Sequence, residues 1–173
     1  SWQSPAHYEG GGREILAASV STGLEGVLAK RLDSTYRPGQ RSPHWRKVKN
    51  LRMQEIVVGG WKPGQGRRDG LLGALLMGIP EGPALRYVGN VGTGFSDEAL
   101  RRLGGQLAAV AWASSPFHDV PPQQARDARW VRPELVGEVA FGEWTTDGRL
   151  RHPTWRGLRP DLSAAEVSRV GTR

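Results

Sequence analysis

Three apolar runs of nine residues, QEIVVGGWK (54–62), LLGALLMGI (71–79) and ALRYVGNVG (84–92), follow one another with only turn-forming stretches between them. The separators are PGQGRRDG and PEGP. Glycine supplies positive φ and proline a preset φ, so the chain can reverse direction after each run. Runs this short, closed this sharply, read as β-strands and not as helices. The rhythm then changes in SDEALRRLGGQLAAV (96–110). Ser96 suits an N-cap, Asp97 and Glu98 suit a first turn, and Leu100, Leu103 and Leu107 share one helical face. That position explains Asp97–Glu98 without a paired-carboxylate site. Gly104 and Gly105 weaken this helix by about 1 kcal/mol each relative to alanine. A proline-rich loop leads to a further strand, LVGEVAFGEWT (135–145), then a TDG turn and a closing strand RLRHP (149–153). Ser163 and Glu166 form a capping box for a short final helix.

Three strands, a helix and two strands is the order of an OB-fold, a small Greek-key barrel that often binds nucleic acid. Gly59, Gly60, Gly73, Gly78 and Gly89 fall inside the strands, where they are expected to permit the coiling a closed barrel needs. Ahead of this region, REILAASVST (13–22) reads as a helix stopped by Gly23. LEGVLAKR (24–31) and HWRKVKN (44–50) read as short strands joined by the turn-rich loop DSTYRPGQRSP. The fold class is therefore mainly β with some α, in two parts, 1–50 and 51–173. Strands 24–31 and 44–50, taken alone, would expose unpaired edges and an apolar face; the OB domain could fold by itself.

On a strand, Trp45, Lys47 and Lys49 line one side, because alternate residues share a face. Two neighbouring ammonium groups repel unless something negative sits between them. A polyphosphate or a nucleic-acid backbone would serve, and so would water on an exposed strand. Charge is concentrated here: Lys30 to Arg52 holds eight Lys or Arg residues and one acid, Asp33, within a chain of net charge +7. Such clustering favours phosphate contact over general solubility. There is no cysteine, which excludes disulfides and thiolate metal sites and makes a reducing cytoplasm the easier setting. No apolar run approaches the roughly 20 residues that span a bilayer, so no membrane partner is expected. The start, SWQSPAHYEGGG, has neither a Met nor the apolar segment of a secretory signal, and a fragment of a longer protein is expected. His7, His44, His118 and His152 have no metal-ligand spacing. Trp61, Trp112, Trp130 and Trp144 are expected to pack in the core.

LEGVLAKR and HWRKVKN, about twenty residues apart and followed by an OB-like domain, resemble motifs IV and V of the ATP-dependent DNA ligases, members of the covalent nucleotidyltransferase superfamily. The tail LRHPTWRGLRPD (150–161) is similar to motif VI, and QEIVVGGWKPGQGRR, LGALLMGIPEG and YVGNVGTGF resemble the family's OB domain. The likeness extends in particular to the ligase module of the bacterial end-joining enzyme DNA ligase D. It implies the C-terminal piece of a nucleotidyltransferase domain over 1–50 and an OB-fold barrel over 51–173.

The resemblance also implies roles. Glu25 would help hold Mg²⁺ or Mn²⁺, a hard cation that suits a carboxylate. Lys30 closes motif IV and by strand parity would point away from Glu25. Lys47 and Lys49 would contact the phosphates of ATP, the AMP donor, with Trp45 as a wall beneath them. Arg151, Arg156 and Arg159 would handle the leaving pyrophosphate, with Asp161 completing motif VI. Lys47, Lys49, Arg159 and Asp161 form the implied catalytic set, and Lys30, Arg151 and Arg156 join the lysines in nucleotide binding. Arg37, Arg41, Lys62, Arg67 and Arg68 could track the backbone of nicked or broken double-stranded DNA. Asn90 stands where the family usually has a basic residue, which removes one such contact. The activity implied is sealing of 5′-phosphate/3′-hydroxyl nicks in bacterial end joining, in the cytoplasm at the nucleoid. The family's nucleophilic lysine lies in a K-x-D-G motif, and no K-x-D-G occurs in these 173 residues. The lysine would come from a missing N-terminal part of the domain or from a polypeptide supplying it, and this chain alone should not form lysyl-AMP. The alternatives are a non-catalytic DNA-binding OB module and the complementing subunit of a split ligase.

Overall fold

The helix read over 13–22 forms at Gly12–Ser21 (α1) in the computed structural model, which describes residues 7–66 and 71–170. It ends where Thr22 N–H donates to Ala18 and Gly23 turns left-handed at φ +71°, a conformation glycine adopts at little cost. The chain divides into two units, Ser1–Leu51 and Arg52–Arg173. In the first, strands Gly26–Lys30 (β1) and Trp45–Lys49 (β2) pair antiparallel, with Gly26 opposite Lys49 and Lys30 opposite Trp45. Directly opposed residues share a face. Leu28, Lys30, Trp45, Lys47 and Lys49 therefore line one side and Val27, Ala29, Arg46 and Val48 the other. Among the described residues of this unit Ser19 alone is buried, while Leu24, Leu28, Leu32, Tyr36 and Val48 are exposed. Two strands and a three-turn helix have too little surface to cover an apolar face.

The second unit contains Arg52–Pro63 (β3), Leu72–Glu81 (β4), Ala84–Val91 (β5), Asp97–Ala109 (α2), the single turn Pro122–Ala125 (α3), Arg129–Trp130 (β6), Val136–Phe141 (β7) and Thr154–Leu158 (β8). The antiparallel sheet runs β5-β4-β3-β7-β8, with β6 also on β3. Leu150 N–H donates to Val88 C=O at 2.8 Å and Trp155 N–H to Thr93 C=O at 2.9 Å, so the β8 side returns to β5. The sequence of neighbours thus closes on itself in the OB-fold order, with α2 between the third and fourth strands. Leu100, Leu103 and Leu107 of α2 are buried, as the helical spacing requires, and Ser96 Oγ caps the helix by accepting from Ala99 N–H at 3.2 Å. Residues 56–60 of β3 are buried without alternation, which is why that strand reads in sequence as a continuous apolar run.

Several expectations need correction. The closing strand lies at Thr154–Leu158, not at 149–153, because Pro153 has no N–H to donate and the ladder starts after it. β7 stops at Phe141 and does not reach Thr145. The final helix is one 3₁₀ turn, Ala164–Glu166, with the capping box of Ser163 and Glu166 formed. Trp61, Trp130 and Trp144 pack partly buried against the core, but Trp112 is 48% exposed. It sits past the end of α2, with its backbone N–H donating to Trp130 C=O at 3.0 Å. Gly59 lies at a register break between β3 and β4 and Gly78 at one between β4 and β5, and both also serve a second purpose. A Cβ would come within 2.4 Å of the Phe117 ring at Gly59 and 2.8 Å at Gly78, so the two glycines form the seat of that ring. Gly104 and Gly105 are exposed within α2, and a Cβ at either would meet nothing within 4 Å. Gly104→Ala and Gly105→Ala are each expected to raise the stability of this unit by about 0.5–1 kcal/mol in urea denaturation.

Candidate functional site

Glu25 precedes β1, and what places its side chain is Gly26. The Gly26 φ is +149°, and a Cβ there would lie 2.1 Å from the Val48 carbonyl oxygen. No other residue fits that backbone against that neighbour. The twist brings the Glu25 carboxylate onto the lysine face: Oε1 is 2.7 Å from Lys47 Nζ and 3.8 Å from Lys49 Nζ. The negative group between the two ammoniums is thus a side chain of the chain itself. Glu25, Lys47 and Lys49 are 65%, 50% and 46% exposed, and ion pairs that wet contribute about 0–1 kcal/mol. A phosphate can replace the carboxylate at small cost.

The rest of this face is built around Trp45. Lys30 Nζ lies 4.3 Å from its ring centroid, Tyr36 packs at 5.5 Å, and the indole N–H donates to Ser34 Oγ at 3.0 Å. Lys30 therefore shares the side of Lys47 and Lys49. Asn50, immediately after β2, ties the approach to Glu25 in place. Its backbone N–H donates to Glu25 C=O at 2.9 Å, and its Nδ2 donates to Leu24 C=O at 2.8 Å and to Ser19 Oγ at 2.9 Å. Arg37 and Arg41 stand exposed in the loop between the strands.

In the second unit the motif VI residues separate into two groups. Arg159 donates from Nε to Asp161 Oδ1 at 2.9 Å and from Nη2 to Oδ2 at 2.8 Å. Its Nη1 reaches Glu55 Oε1 at 3.4 Å and Glu138 Oε1 at 3.3 Å. The Arg159 hydrogen bond holds the Asp161 carboxyl below the usual carboxylate range, and the three acids push the guanidinium still further up. Arg151 pairs elsewhere, with Glu143 at 2.6 Å. Arg156 is the extra residue of a bulge, since Glu138 faces Gly157 and Val139 faces Trp155. It projects outward and is exposed.

Lys62, near the end of β3, donates to Gln123 C=O at 3.1 Å and approaches Gln124 Oε1 at 3.5 Å. The same Gln124 oxygen accepts from Asn90 Nδ2 at 2.6 Å, and Asn90 Oδ1 accepts from the Tyr87 hydroxyl at 2.8 Å. Burial pushes the Tyr87 phenol up to about 12. Arg67 and Arg68 lie outside the described residues. No cluster of three or more metal-ligating side chains occurs among the described residues.

Known proteins share both halves of this arrangement. Residues 12–49 match the family model for the ATP dependent DNA ligase domain, and residues 68–162 match the ATP dependent DNA ligase C terminal region. The chain belongs to the ATP-dependent DNA ligase family. It is 48% identical over 164 residues to the multifunctional non-homologous end joining protein LigD of Mycolicibacterium smegmatis, a match covering 94% of this chain and 22% of that protein. The crystal structure of the ligase domain from M. tuberculosis LigD superposes with a TM-score of 0.68 at 46% identity, covering 93% of this chain and 52% of that one. A mycobacterial DNA ligase D complexed with ATP and MES gives a TM-score of 0.65, also at 46% identity, over 93% of this chain and 52% of that one. The chain thus spans about a fifth of the LigD protein it matches. Within this ligase chain, sequence reasoning missed Glu55, Glu138 and Asn50. Glu138 sits in an otherwise apolar strand, which is the one local signal that could have pointed to it, while Glu55 stands among Arg52, Gln54 and Lys62 of β3 and had none.

Proposed function

We propose that the chain is the C-terminal part of a ligase that seals 5′-phosphate/3′-hydroxyl nicks in bacterial end joining. Residues 1–50 would end the nucleotidyltransferase domain and 51–173 would form the OB domain. The observation that carries this reading is the Glu25 carboxylate lying between Lys47 and Lys49, on a face that also presents Lys30. When the phosphates of ATP or of an adenylated DNA end arrive, they take the place of the carboxylate between the ammoniums. The lysines then offset the charge that develops as the phosphoryl group transfers.

The residues present fit Mg²⁺ or Mn²⁺ as a shared ligand set. Displaced from its lysines, Glu25 offers one hard oxygen donor, and such ions typically take one or two carboxylates with substrate phosphates and water. When bound, the ion would draw charge from the phosphate oxygens. Arg159 with Asp161, and Arg151 and Arg156, would meet the pyrophosphate. Arg37, Arg41, Lys62, Arg67 and Arg68 would follow the DNA backbone, each phosphate contact steepening the salt dependence of binding. No helix among the described residues is long and apolar enough to cross a membrane, and the setting proposed is the cytoplasm at the nucleoid.

The absence of K-x-D-G from these residues supports a nucleophile supplied by other polypeptide, from the same protein or a partner. Labelled ATP tests this. The chain alone is expected to take up no covalent AMP. Addition of a fragment bearing K-x-D-G is expected to give labelling of the fragment, with sealing of a nicked duplex. Labelling of the isolated chain would contradict the proposal. DNA binding with neither labelling nor sealing in the mixture would favour the non-catalytic OB module.

A further inference from the structure

We infer that Glu55 and Glu138 are positioning residues for Arg159, holding its guanidinium against the barrel wall until a polyphosphate takes it over. The inference rests on the reading of Arg159 as a phosphate-handling arginine. Glu55 of β3 lies directly opposite Glu138 of β7, and like charges so placed repel. The cation between them is Arg159 Nη1, at 3.4 and 3.3 Å. The opposite edge of the guanidinium, Nε with Nη2, is the fork that would grip two oxygens of a phosphate, and Asp161 occupies it at 2.9 and 2.8 Å. In this state the fork of Arg159 is already taken by a carboxylate.

The contacts are not equivalent. Asp161 is a local partner, two residues from Arg159 and past the end of β8, whereas the glutamates stand on β3 and β7 at sequence separations of 104 and 21. The glutamate bonds are also the long ones. The Arg159 backbone is tied to the sheet as well, its N–H donating to Val136 C=O at 2.9 Å. It is therefore the side chain that turns toward a polyphosphate, and the contacts that break are those of Nη1 to Glu55 and Glu138. Three carboxylates face one guanidinium, so the site carries net negative charge and repels any anion while Arg159 stays paired. A polyphosphate offers several oxygens to the one guanidinium, and it recruits Arg159 by drawing Nη1 off the glutamates. The two glutamates thereby oppose the recruitment of Arg159 and lower its affinity for pyrophosphate.

The test uses the 173-residue chain labelled with ¹⁵N-arginine, following the Arg159 Nε–Hε resonance during titration with inorganic pyrophosphate. Glu55→Gln with Glu138→Gln is expected to lower the apparent Kd at Arg159 by about tenfold, within the usual range of coupling between contacts. Glu134→Gln removes a charge from the same unit without touching Arg159, and is expected to leave that Kd at its wild-type value. Equal affinities in wild type and the double variant would overturn the inference. So would an equal gain in Glu134→Gln, which would mean bulk charge and not position, or an Arg159 resonance that ignores pyrophosphate in the double variant. Each single glutamine variant is expected to give an intermediate gain, so the result stands even if the double variant folds poorly. The titration uses neither ATP nor DNA, so its failure is separable from failure of the ligase reading, which is tested by adenylation and sealing.

Discussion

Lys47→Ala, made in a ligase of the relatives' length, is expected to slow nick sealing by about 10²–10³-fold, the typical effect of deleting one preorganised donor to a developing anion. The thermal midpoint of the same variant should barely move. Lys47 is half exposed and its partner Glu25 more so, and an ion pair in that setting contributes about 0–1 kcal/mol. The combination of a large rate loss with little stability loss separates a phosphate-binding lysine from a solvated one. Lys49→Ala should behave alike. Sealing rates within twofold or so of wild type for both variants would remove the basis of the proposed function. Lys47→Arg is expected to restore only part of the rate, because a planar fork does not replace a compact ammonium with rotatable donors.

The second large effect concerns the barrel. Trp155→Ala is expected to cost about 3–5 kcal/mol, the range for truncating a buried aromatic, and to lower the melting temperature of the OB unit by roughly 10–20 °C. Trp155 is buried, and its ring stacks on Phe95 at 5.5 Å. A Cβ on Gly137 would come within 2.2 Å of the same ring, so the strand beside it is cut back to admit the indole. The backbone N–H of Trp155 also makes one of the two bonds that bring β8 back to β5. A cavity here undermines both the packing and the return of the sheet. Urea denaturation would read the loss directly, and a cost under 1 kcal/mol would mean that the barrel is held elsewhere.

The sheet was legible in sequence wherever its punctuation was local. PGQGRRDG and PEGP cut β3, β4 and β5 apart, and Ser96 announced α2 through a cap three residues from its partner. Legibility failed where the signal was ambiguous or distant. Pro153 and Gly157 look like turn residues, yet they frame and occupy β8. The Phe117 seat joins residues 59, 78 and 117, and nothing in any one of their segments points to the others. Two parts of the candidate site show the same divide. Glu25, Lys47 and Lys49 could be read from two short motifs, although a regular strand would not bring Glu25 to the lysine face. Gly26 does so through a backbone twist that residue spacing does not reveal. The acids around Arg159 come from β3 and β7. They could be matched to the arginine only once the register of those strands was known.

The antiparallel pairing of β1 with β2 has a mechanical consequence for the two lysines. Alternate residues on an extended chain are about 6.7 Å apart along the strand, so the interval between Lys47 and Lys49 is set by peptide geometry, whichever side chains pack around it. If the hairpin tilts or shifts as a body, the interval stays constant. The two backbone positions behave as a gauge of fixed width, and the flexible lysine stems close on a ligand from the same two anchor points in every orientation of the hairpin.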